Sequence, residues 1–181
     1  MKRLAILLAL TASPALATGL EIDVAGEANG TISIDLLEDV APQNVARIVE
    51  LANQGAYDGV AFHRVIEGFM AQTGDVQYGK EGADYASVGT GGSDLPDLPA
   101  EFSDQPFARG VVGMARSSDP NSANSQFFIM FADAPHLNGQ YTVVGQVTEG
   151  LEVLDAIKRG TGSNGEVPDS PDRIAAVRVT E

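Results

Sequence analysis

Residues 62–75 read FHRVIEGFMAQTGD, and the reading of the whole chain turns on this stretch. Two short alternating runs flank Glu67 and Gly68, and period-two alternation marks strands whose successive side chains face opposite ways. Residues two apart share a side, so Met70 sits with Gln72, and Arg64 sits with Phe62 and Ile66. A guanidinium in that company is an odd choice for a strand that only packs. Residues 125–129, SQFFI, repeat the arrangement. Gln126 shares a side with Phe128, while Phe127 and Ile129 turn the other way. Each pairing sets one apolar group beside one amide.

Outward from these runs the chain reads as mainly β. Leu20, Ile22 and Val24 alternate with Glu21 and Asp23, and residues 32–36 repeat the alternation beyond the turn signal Asn29-Gly30, which predicts a hairpin with one wet face. From Pro42 the apolar residues Val45, Ile48, Val49 and Ala52 fall at helical spacing, with Pro42 suited to a first turn and Gly55 to the stop. Strand-like runs follow at 62–66, 69–72, 111–115, 126–131, 141–147 and 174–179, and a second helix is predicted over 151–158. The expected fold is a closed eight-stranded antiparallel β-barrel capped by two α-helices. A lumen of that size is filled by its own side chains, so a ligand belongs on the outer wall or rim. The glycine-rich residues 89–99, GTGGSDLPDLP, open no helix and do not read as a phosphate cradle.

The chain has 181 residues and no cysteine, which fits one domain and removes disulfides, thiolate nucleophiles and sulfur-held zinc together. Lys2 and Arg3, the apolar run at 4–10 and the Ala15-Leu16-Ala17 site have the form of a secretory signal. That run falls short of the roughly 20 residues needed to span a bilayer. The expected organisation is therefore a cleaved signal at 1–17 and one domain at 18–181, exported and, in a bacterial source, periplasmic. The formal charge of -14 becomes more negative once Lys2 and Arg3 leave. Without clustered cations, no nucleic-acid partner is expected, and no membrane contact is expected after cleavage.

With residues 111–116, VVGMAR, and 137–145, LNGQYTVVG, the two motifs quoted above resemble the cyclophilin family of peptidyl-prolyl cis/trans isomerases in order and spacing. The resemblance spans essentially the whole mature chain. It implies that Arg64 and Gln72 are catalytic and that Phe69, Met70, Phe128 and Leu137 line a pocket for the substrate proline ring. Ala115 and Arg116 match a strand edge that pairs with the bound peptide, and Gln126, His136 and Tyr141 complete the peptide-binding rim. The implied partners are proline-containing, unfolded or partly folded proteins; no cofactor or metal is required, and a monomer is the default.

Four positions depart from the family pattern, among them Tyr141, which stands where many eukaryotic members carry histidine. Glu67 stands where proline is common and Thr73 where glycine is common. His136 stands where many members carry tryptophan, so weak cyclosporin binding is expected.

Rival readings are weaker. Asp94, Asp97, Glu101 and Asp104 lack the ligand spacing of a calcium loop. His63 and His136 have no nucleophile elbow beside them. A binding-only chaperone on the same fold is the alternative kept, and the intact set of Arg64, Phe69, Met70, Gln72, Gln126 and Phe128 argues against it.

Overall fold

The computed structural model describes residues 18–181, so the secretory signal expected at 1–17 lies outside the described residues. β1 (Gly19–Ala25) and β2 (Gly30–Leu36) form the opening hairpin, with Leu20 opposite Ile34 and Ile22 opposite Ile32. All four side chains are buried. The intervening Glu21 and Asp23 both meet the Arg178 guanidinium, so the polar residues of the alternation find their partner on the exposed side.

α1 (Pro42–Asn53) buries Val45, Ile48 and Ala52, as the spacing predicts, and adds Leu51, while Val49 is only partly buried at the edge of the core. Ala41 supplies no side-chain cap. Glu101 does so from far along the chain, accepting the Gln43 and Asn44 N–H groups at 3.1 and 2.9 Å. Burial alone would raise the pKa of Glu101, but its bonds to Asn44 and Gln43 win and hold it below the ordinary value.

The remaining strands are β3 (Arg64–Ile66), β4 (Met70–Thr73), β5 (Val111–Met114), β6 (Phe127–Met130), β7 (Val143–Glu149) and β8 (Arg173–Thr180), with α2 (Leu151–Ala156) before the last. Short 3-10 turns occur at Tyr85–Ser87 and Pro135–Leu137. The sheet is antiparallel throughout, in the order β3-β4-β6-β5-β7-β2-β1-β8.

That linear order departs from the closed barrel expected: the ladder is an open half-barrel, with β3 and β8 at its two ends. The physical reason lies at the seam. Irregular backbone before β3 bonds to the start of β8, through Phe62 N–H to Asp172 O at 2.9 Å and Ile174 N–H to Val60 O at 2.9 Å. β3 itself is covered by residues 160–167, with Val65 N–H donating to Gly165 O at 2.7 Å and Gly160 N–H to Val65 O at 2.9 Å. An edge paired in this way offers no free row of donors to another chain.

Alternation sorts the apolar residues into two clusters. Ala71, Val112, Met114, Phe127, Ile129 and Val144 join the main core between the sheet and the helices. Their neighbours Met70, Val111, Phe128, Met130 and Val143 join a second cluster with Phe107, Ala134 and Leu137. Phe62 corrects the sequence reading: the strand begins only at Arg64, so the alternation breaks before it. Phe62 is therefore buried in the main core, while Ile66 packs against the second cluster.

Candidate functional site

The register lines the chemistry up in one row. Arg64 lies opposite Gln72, Gln72 opposite Phe128, and Phe128 opposite Gly113. Four strands thus contribute cross-strand partners that share a face.

Gly113 is needed for its lack of a side chain. A Cβ there would lie 2.6 Å from Phe128 Cζ and 2.7 Å from Phe107 Cε1. Its absence lets those rings stack, with centroids 5.8 Å apart and planes at 23°.

Beside this row is a small cavity of about 180 Å³ lined by Arg64, Phe69, Met70, Gln72, Ala115, Arg116, Phe128, Leu137 and Tyr141. Its size suits one small ring rather than an extended ligand. Nine of the eleven residues named from the sequence meet there. Gln126 does not line it; it stands behind Gln72, in the wall of a neighbouring cavity. His136 is exposed on the rim, its ring stacked on Phe69 at 5.7 Å.

Polar groups along the row form a one-way relay. Arg64 Nη1 donates to Gln72 Oε1 at 3.2 Å and Gln72 Nε2 donates to Gln126 Oε1 at 2.9 Å. Gln126 Nε2 then donates to the carbonyls of Gly89 and Gly91 at 3.1 and 2.8 Å. A guanidinium can only donate, so it fixes the orientation of both amides in turn. Arg64 Nε donates to Asn164 O at 3.0 Å, and Nη1 also approaches Met70 Sδ at 3.9 Å. Burial lowers the Arg64 pKa from its ordinary value, partly offset by Tyr141.

The rim is held by Arg116, whose guanidinium lies 4.3 Å from the Tyr141 ring centroid and donates to Gln140 O at 3.0 Å. Ala115 N–H is turned inward, donating to Gln126 O at 2.9 Å. Among the described residues, Arg116 N–H has no partner, so the edge keeps a free backbone donor beside the cavity.

Two supports, and one buried imidazole beside them, had no legible signal. Asp75, fully buried, accepts Gln77 and Tyr78 N–H on Oδ1 and Gly89 and Gly91 N–H on Oδ2, the last pair at 2.7 and 3.0 Å. It clamps the loop whose carbonyls receive Gln126. Gly165 follows the Asn164 carbonyl at φ 69°, and a Cβ there would lie 2.4 Å from Ile66 Cγ1.

The imidazole is that of His63, which has no triad partners among the described residues. It is 5 % exposed, and neither nitrogen has a hydrogen-bond partner. Burial depresses its pKa below 6.5, opposed by the Asp75 carboxylate and the nearby Ala61 backbone and Gln126, and reinforced by Arg64.

Two of the four acids in the calcium reading, Glu101 and Asp97, have other work. Glu101 caps α1, Asp97 accepts from Asn124 Nδ2 at 2.9 Å, and among the described residues no three His, Asp or Glu side chains gather closely enough to hold a metal.

Comparison with known proteins identifies the family. The model of the family described as cyclophilin type peptidyl-prolyl cis-trans isomerase/CLD matches residues 20–179. A probable peptidyl-prolyl cis-trans isomerase of Brucella suis is 60% identical over 153 residues, covering 83% of this chain and 78% of that one. The peptidyl-prolyl cis-trans isomerase of Helicobacter pylori is 43% identical over 135 residues, covering 72% and 76%. A crystal structure of a Cryptosporidium parvum cyclophilin type isomerase in the presence of the dipeptide Ala-Pro is similar with a TM-score of 0.76 at 25% identity, covering 90% of this chain and 99% of that one. From its register to its relatives, the chain belongs to the cyclophilin-type peptidyl-prolyl cis-trans isomerases.

Proposed function

We propose that this isomerase seats a proline ring of an exported, incompletely folded protein in the small cavity, and that Arg64 accelerates rotation of the bond before it. The observation that carries the reading is the position of the Arg64 guanidinium. It is held by Asn164 O and Gln72 at the wall of a slot otherwise made of Phe69, Met70, Phe128 and Leu137.

The chemistry follows from the amide. Rotation is opposed by about 18–20 kcal/mol because the nitrogen lone pair is delocalised into the carbonyl. In the twisted transition state that delocalisation is lost and the nitrogen becomes a hydrogen-bond acceptor. A fixed donor aimed at it binds the transition state better than either ground state, which is what catalysis requires. A charge-assisted hydrogen bond contributes about 1.5–3 kcal/mol, whereas a ~10⁵-fold acceleration needs about 7 kcal/mol. The slot supplies the rest by excluding water and holding the ring while the carbonyl side turns. Gln72, aligned by Arg64 and Gln126, orients that carbonyl. The free Arg116 N–H suits backbone pairing with the incoming peptide, and Gln126, His136 and Tyr141 border its path. No proton transfer, metal or nucleophile enters.

Exchange at the Xaa-Pro bond of a short peptide, measured by NMR, tests this. Arg64→Ala is expected to lose about a hundredfold in rate with folding intact, the mark of an interaction made mainly in the transition state. Equal rates in both proteins would leave only the binding chaperone. The Ala-Pro dipeptide in the Cryptosporidium structure supports the choice of ligand. For export, the support is the signal-like segment at 1–17; mass spectrometry of the mature protein, which we expect to be a periplasmic monomer beginning at Thr18, checks it.

A further inference from the structure

A second cavity, of about 510 Å³, adjoins the proline slot and meets it at Arg64 and Gln72. Its opposing walls come from the turn carrying Tyr85 and Val88 and from Val167 and Pro168. Tyr85 Oη donates to Val167 O at 2.9 Å, which ties the two walls together, so the cavity is preformed. The floor includes His63, a buried imidazole with no hydrogen-bond partner on either nitrogen. The charges at its border are already engaged: Arg64 donates to Asn164 O and Gln72, and Glu166 accepts from Asn164 Nδ2 at 3.0 Å. The interior is mixed: Tyr85, Ala86, Val88, Val167 and Pro168 give it somewhat more apolar than polar surface, and the polar share comes from groups such as Gln72 and Asn164 that are already bonded and from the unpartnered His63 imidazole.

We propose that this cavity is a second subsite, taking a bulky apolar side chain, aromatic first, from the same polypeptide whose proline fills the slot. Where most polar groups of a site are already bonded to one another, shape and buried apolar area select the ligand, and an aromatic ring brings the largest area with few torsions to freeze, its edge able to meet the His63 imidazole. The shared wall fixes the source of the side chain. An extended chain advances at most about 3.3–3.6 Å per residue, so a residue within about three positions of the proline reaches from one cavity to the other. The inference rests on the isomerase reading above and adds a sequence preference to it.

The test walks one phenylalanine through the three positions on each side of proline in an otherwise all-alanine peptide, reading Kd by NMR titration and exchange rate on the same samples. One placement is expected to bind about tenfold more tightly than the all-alanine peptide, the scale of partly burying an aromatic side chain. Ala86→Trp, which fills the cavity from an exposed position, should erase that gain and leave all-alanine exchange unchanged. Val88→Asp should do the same by charging the wall, and far-UV circular dichroism verifies that both variants fold. If no placement gains, or the gain survives both variants, the subsite is overturned while the isomerase reading stands. A gain for lysine in place of phenylalanine overturns the apolar assignment. Failure of the wild-type protein to speed exchange in any peptide overturns both.

Discussion

Phe127 and Phe128 are neighbours in the chain and belong to different molecules in effect. Phe127 points into the main core, edge-on to Tyr57 at 5.6 Å. Phe128 points into the second cluster, stacked on Phe107 and edge-on to Tyr141. The first cluster is sealed by sheet and helices; the second is left open where Leu137 and Phe69 border the slot. One alternating strand therefore builds a core with one face and a binding surface with the other. The same side-chain chemistry stabilises the fold or grips a ligand according to which face closes.

Truncation of the two phenylalanines breaks this comparison most sharply. Phe127→Ala leaves a sealed void and should cost about 3–5 kcal/mol in urea unfolding, with the catalytic rate of the folded fraction unchanged. Phe128→Ala opens to solvent, where water fills the gap, so about 2 kcal/mol is expected from lost burial without the cavity cost. Its larger signature is a rise in KM for proline peptides. Equal stability losses with no change in KM would erase the distinction between the clusters.

Gly113→Ala tests the open face from behind. The added methyl must displace Phe107 or Phe128 in a packed cluster, at about 1–3 kcal/mol. If Phe128 yields toward the slot, KM rises severalfold; an unchanged KM would mean that Phe107 moves instead.

The smallest effect comes from His63. Its pKa is depressed in the fold, so below about pH 6.5 the unfolded chain takes up a proton that the native state refuses. Stability is therefore full above that pH and falls as the pH drops toward 5. His63→Phe should flatten this part of the thermal-stability curve. Partnered acids such as Asp23, Asp155 and Glu101 contribute only at lower pH: their pKa values are held below the ordinary 3.8 or 4.5, and their stabilisation is lost as pH falls through those values.

Much of this was legible in the sequence because it is local. Period two assigns Met70 and Gln72 to one side and Phe127 and Ile129 to the other, and of the eleven residues that the family resemblance names, nine meet in one cavity while Gln126 and His136 stand beside it. What escaped is what depends on closure in space. Asp75 looks like any acid after a strand until four N–H groups converge on it. Glu101 looks like a surface charge until it caps a helix from another part of the chain. The barrel was expected to close by a ladder, yet strand signals carry no information about the irregular residues 59–62 and 160–167 that finish the seam.

The Asn164 carbonyl that steadies Arg64 has a consequence for engineering. It is a backbone atom, so an alanine replacement removes the Asn164 side-chain bond to Glu166 but not the acceptor that Arg64 uses. The vulnerable residue is Gly165, whose bare Cα lets that turn lie against Ile66. The rate of this enzyme can thus be retuned through the shape of a surface turn, with every group that lines the proline slot left untouched.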